Sequence, residues 1–119
     1  MGFVEFERPR RADSREPVVK LTKQQTFRIN KATLDRYFAE ATHAVLMFNE
    51  DTNQIAIRPS DGREHYAYRL RTQGAQKEIS GNAFLQHFRI RVPEQSKVFT
   101  PQFDEQLNAV ILTEPVETQ

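Results

Sequence analysis

Phe27-Arg28-Ile29-Asn30-Lys31-Ala32-Thr33-Leu34-Asp35-Arg36-Tyr37-Phe38 aligns without a gap, after a shift of 50 positions, on Lys77-Glu78-Ile79-Ser80-Gly81-Asn82-Ala83-Phe84-Leu85-Gln86-His87-Phe88. Ile29 meets Ile79, Leu34 meets Phe84 and Phe38 meets Phe88, while Asn30 and Ser80 occupy the position where a short polar side chain caps a helix by accepting from free backbone N–H groups. Each block follows an extended run and precedes two more, so the period describes a strand, helix and hairpin unit and not one helix. Copies of this kind share one core. The expected fold class is therefore α+β, with two pseudo-repeats, residues 18–60 and 66–113, forming one small barrel-like domain.

Working outward, Val19, Leu21, Phe27 and Ile29 fall on one parity with Lys20 and Arg28 on the other, the period-2 signature of strands with one buried face. Leu34, Tyr37, Phe38 and Ala41 follow at helical spacing. Val45 to Phe48 and Ile55 to Ile57 flank Asn49-Glu50-Asp51-Thr52-Asn53-Gln54, whose Asn and Asp tolerate the backbone angles of a tight reversal, so a hairpin is expected. Pro59-Ser60-Asp61-Gly62 ends the first copy with turn chemistry. In the second, Tyr66, Tyr68 and Leu70 share a parity and are expected in the core, Phe84, Leu85 and Phe88 supply a helical face, and Pro93 stops that helix. Val98 to Phe103 and Leu107 to Thr113 form the last hairpin around Asp104-Glu105-Gln106, with Val110-Ile111-Leu112 as a central strand. Residues 1–17 open with the strand-like Phe3-Val4-Glu5-Phe6 and read as a flexible N-terminal arm. Residues 114–119 read as a polar, frayed tail.

The 119 residues suffice for one domain. With no cysteine there are no disulfides, thiolate metal sites or thiol nucleophiles, and a reducing compartment, the cytoplasm, is the expected location. No apolar run approaches the roughly 20 residues that span a bilayer, so no membrane partner is expected. His43, His65 and His87 show no metal-ligand spacing and no i, i+4 pair. The carboxylates cluster in turns, where water keeps both members of a pair ionised, and neither a nucleophile elbow nor a phosphate-binding Gly-Lys-Ser is present. The residues therefore suggest no enzyme, no metal and no cofactor. Seventeen basic against sixteen acidic residues leave a formal charge of +1, so any polyanion must be held by a local patch.

Val18-Val19-Lys20-Leu21, then Phe27-Arg28-Ile29-Asn30-Lys31, then the helix to Phe38 and the run from Val45 to Ile55-Ala56-Ile57-Arg58-Pro59, resembles the swapped-hairpin transcription factors of the AbrB and MraZ type. The chain departs from that family at Asn30, where Pro is usual, around His43-Ala44, where Gly-Asp commonly opens the hairpin, and in lacking the Asp-x-x-x-Arg signature in both copies. The resemblance implies two units interlocking their hairpins and a non-enzymatic, DNA-binding regulator, monomeric or homodimeric, with basic strand residues on phosphates. The outward parity of the strands here collects Lys20, Arg28, Arg58, Arg69 and Arg71, with Lys31 near a bend, as candidates for such contacts if they share a face, to be weighed against the ordinary occurrence of Lys and Arg on solvated strand faces. Arg8, Arg10, Arg11 and Arg15 of the arm suit a minor groove, although Glu5, Glu7, Asp13 and Glu16 interleave with them. The alternative is a protein-interaction module, without a nucleic-acid role, that binds a protein partner through hairpin edges or the N-terminal arm.

Overall fold

The computed structural model describes residues 2–5 and 16–119. The arm residues Phe6, Arg8, Arg10, Arg11 and Arg15 lie outside the described residues. In chain order the elements are β1 (Val19–Leu21), β2 (Thr26–Ile29), α1 (Lys31–Tyr37), β3 (His43–Asn49), β4 (Gln54–Ser60), β5 (Tyr68–Arg69), β6 (Arg71–Gln73), β7 (Gln76–Ser80), α2 (Asn82–His87), β8 (Lys97–Phe99), β9 (Pro101–Asp104) and β10 (Ala109–Leu112). They form two antiparallel sheets, ordered β6-β7-β2-β1-β8 and β5-β3-β4-β10-β9.

This corrects the expected class. Strand makes up 41% of the described residues and helix 12%, so the fold is mostly β and not α+β, and the sheets do not close into a barrel. The physical cause lies in two extended runs that each serve both sheets. Tyr68 to Gln73 breaks at Leu70, leaving β5 on β3 and β6 on β7. Lys97 to Asp104 breaks at Thr100, leaving β8 on β1 and β9 on β10. At each break the ladder is replaced by other hydrogen bonds: Leu70 N–H donates to Thr42 O (3.0 Å) and Thr100 N–H to the Glu114 carboxylate (2.7 Å). These substitutes satisfy the backbone at the bends, so the chain, and not a continuous ladder, connects the sheets.

Alternation along the strands sends every second side chain into the space between them. Val19, Leu21, Phe27, Ile29, Ile79 and Phe99 enter from the first sheet, and Ala44, Ile55, Ile57, Val110 and Leu112 from the second, all with essentially no exposure. Each such Val, Leu, Ile or Phe contributes about 1.5–3 kcal/mol relative to an exposed position. Phe84 and Leu85 of α2 and Phe38 beyond α1 complete the core, and Tyr37 stacks on Phe103 of β9 at 5.6 Å between ring centroids. Tyr66, expected in the core, is exposed in the turn before β5, where the chain has not yet entered the ladder.

Asn30 caps α1, its Oδ1 accepting from Thr33 N–H at 3.0 Å. The corresponding expectation for Ser80 fails. The cap of α2 is Gly81, which makes no side-chain cap bond. A Cβ at Gly81 would stand 2.6 Å from the Phe27 ring, so a residue without a side chain takes the cap position and Ser80 stays in β7. The hairpin turns behave as their residues predict: Asn49 Oδ1 accepts from Asp51 and Thr52 N–H, Asp104 Oδ1 from Gln106 and Leu107 N–H, and Asn53 and Asn108 hold positive φ of 57° and 52°.

The C-terminal residues are not frayed. Val116 is buried, its N–H donates to Asn53 O, Ile90 bridges Thr118, and Arg91 N–H donates to Glu117 O at 2.7 Å. One apolar residue with backbone partners on both sides anchors this otherwise polar stretch. No helix among the described residues is long and apolar enough to cross a membrane.

Candidate functional site

Parity within a strand places a residue on a face but does not say which sheet the strand joins. Lys20, Arg28 and Arg71 share the outer face of the first sheet, in register through Lys20↔Arg28, Arg28↔Glu78 and Arg71↔Glu78. Glu78 sits between the two arginines, 3.5 Å from Arg28 Nε and 3.6 Å from Arg71. Arg58 and Arg69 belong to the second sheet, and Lys31 at the start of α1 pairs with Asp35 at 2.6 Å. Three of the six residues are therefore brought together, and a carboxylate divides the positive charge of that row.

Arg58 is occupied within the chain. Its Nη2 donates to Glu64 at 2.7 Å, while Ser60 Oγ donates to the other Glu64 oxygen at 2.6 Å and accepts from Gly62 N–H. Gly62 holds φ +90° against the His43 ring, where a Cβ would approach to 2.7 Å, so glycine is required for both angle and space. The Ser60 hydroxyl first, then the Arg58 guanidinium, hold the Glu64 carboxyl down at about 2 from its ordinary 4.5. A group depressed on folding stabilises the native state above its unfolded value and loses that contribution as pH falls toward its folded value. Glu64→Gln is therefore expected to flatten the fall of the urea midpoint between about pH 4.5 and pH 2 relative to wild type, and identical curves would show that Glu64 does not contribute to it. Sequence reasoning missed Glu64 because an Arg and a Glu six positions apart across a turn carry no periodic signal.

The more consequential feature is an open strand edge. β5 pairs with β3 only at His43↔Arg69 and Ala44↔Tyr68. Among the described residues no strand lies along that side of β3 from Val45 to Asn49. The other edge strands, β5, β6, β8 and β9, have two to four residues, whereas β3 has seven. Short edges resist addition of a further strand, and a long apolar one invites it. Leu46 and Phe48 point inward, packed on the core, and Met47, paired with Ala56, points outward. A groove of about 540 Å³ crosses this sheet from β3 over β4 to β10, lined by Met47, Phe48, Ala56, Phe88, Leu107 and Ile111, with Glu50 and Asp51 at the hairpin tip. A signal for it was present in the sequence, since Val45-Leu46-Met47-Phe48 is apolar at every position and not at alternate ones.

The histidines are dispersed. His43 is bonded to Thr42 Oγ1 at 2.7 Å, His65 rests edge-on against Tyr66, and His87 against Phe88. Among the described residues no group of three or more His, Asp or Glu side chains converges as a metal site would require. Comparison of the chain with protein-family models, with curated proteins and with solved structures returned no match.

Proposed function

We propose that this domain is a non-enzymatic interaction module that receives an extended segment of a protein partner along the free edge of β3. The observation that carries this reading is the seven-residue β3, unpaired on one side from Val45 onward among the described residues, with Leu46 and Phe48 on one face and Met47 on the other. Backbone groups on such an edge supply affinity by β-augmentation, while Met47 on one face and Phe48 on the other select the partner's side chains. The lack of cysteine suits a reducing compartment, and a cytoplasmic location forms part of the same proposal.

The test is selection from a random peptide library on the full chain, followed by NMR titration of a selected peptide. Amide shifts are expected to concentrate at Val45 to Asn49, and Met47→Lys is expected to weaken binding at least tenfold. Peptides that perturb other surfaces, or that ignore Met47→Lys, would remove the proposal.

A second reading, the DNA-binding regulator implied by the AbrB and MraZ resemblance, is supported by the shared face of Lys20, Arg28 and Arg71. Counterion release then requires affinity for random duplex DNA to fall steeply with salt, with a log-log slope of about −0.9 per phosphate contact. Binding that is absent or insensitive to salt in an anisotropy titration excludes it.

A further inference from the structure

We infer that the segment received by β3 is the N-terminal segment of a second copy of this chain, around Phe3 and Val4, so that two chains exchange these segments. The inference rests on the strand-receiving reading of β3 and names its occupant. Its first support is that Phe3 and Val4 are exposed over essentially their whole side chains. Two adjacent large apolar residues left in water by their own chain need a surface elsewhere.

The second support is the fit of consecutive residues. Neighbours along a strand point to opposite faces of a sheet. An amphipathic strand added to β3 would place its polar residues over either Met47 or Phe48, whereas Phe3-Val4 offers an apolar side chain to each face. The third is charge. Glu50 and Asp51 stand exposed at the end of β3, without an ion pair among the described residues. Past Phe3 and Val4 the sequence continues through Glu5 and Glu7 to Arg8, Arg10 and Arg11, so residues 3–11 carry a net charge of +1 toward the two carboxylates. Reciprocal donation of one segment and acceptance of the other gives a two-fold dimer in which both edges are covered.

Sedimentation velocity on the full chain is expected to show a concentration-dependent passage from monomer to dimer, with Phe3→Asp/Val4→Asp and Met47→Lys each weakening association at least tenfold. The decisive arm is complementation. The Phe3→Asp/Val4→Asp protein keeps its edge and loses its strand, and the Met47→Lys protein keeps its strand and loses its edge. Mixed together, they should form a heterodimer in which isotope-labelled Phe3→Asp/Val4→Asp protein shifts at Val45 to Asn49. A wild-type chain that stays monomeric, or a mixture that does not associate, overturns the inference. If library-selected peptides still shift Val45 to Asn49 in that case, only the occupant is wrong. If they do not, the strand-receiving reading falls as well.

Discussion

Phe27→Ala is expected to lower stability by about 4 kcal/mol and the thermal midpoint by about 15 °C. Phe27 is wholly buried, lies in register between Leu21 of β1 and Ile79 of β7, and meets the Phe84 ring edge-on at 6.2 Å. Removing the ring leaves a cavity among strands on both sides, and those strands are held by their ladders and cannot collapse into it. The same ring forbids a side chain at Gly81, where a Cβ would come to 2.6 Å of it and 3.2 Å of the Gln25 carbonyl. Gly81→Ala is therefore expected to cost about 1–3 kcal/mol in wild type and distinctly less in the Phe27→Ala background, where the methyl enters vacated space. Denaturant titration of the four proteins in a double-mutant cycle measures the coupling. Equal cost of Gly81→Ala in both backgrounds would show that the ring does not select glycine at the cap.

Asn30→Ala is expected to cost about 3 kcal/mol, combining the loss of a helix cap with the exposure of buried polar partners to no acceptor. Asn30 Oδ1 accepts from Thr33 N–H at 3.0 Å, from Thr33 Oγ1 at 2.6 Å and from Val18 N–H at 3.0 Å, and Nδ2 donates to Glu16 O at 2.8 Å. One side chain thus starts α1 and fastens the chain that enters β1. Asn30→Asp keeps the acceptor and loses the donation to Glu16, so its urea midpoint is expected to fall between those of wild type and Asn30→Ala. A midpoint for Asn30→Ala within experimental error of wild type would show the cluster to be energetically idle. The bond to Glu16 also places residues 16 and 17 against the domain, although the sequence assigns them to the arm.

Parts of this architecture were legible because local chemistry alone decides them. Val19 and Leu21, or Phe27 and Ile29, alternate with charged residues and face inward as alternation demands. Asn49 and Asp104 make their turns with their own side chains, and Asn30 caps with its own. What was not legible depends on distant partners. Nothing within Tyr68 to Gln73 says that the ladder breaks at Leu70, because the break is fixed by the Thr42 carbonyl. Nothing within Glu114 to Gln119 says that Val116 is anchored, because Asn53 and Arg91 supply the bonds. The cations met the same limit: Lys20 and Arg58 have like parity in their strands and lie on different sheets, and the carboxylates beside Arg28, Arg71 and Arg58 come from β7 and from the loop after β4.

The strands that change sheets at Leu70 and Thr100 have a mechanical consequence. Each acts as a rivet through both layers, so neither layer can peel away while the other stays intact, and the molecule has no seam between them. Partial opening must begin at the extremities, at the hairpin tips or the last residues of the chain, and the interior strands β1, β2, β4, β7 and β10 should exchange their amide protons only when the whole domain lets go.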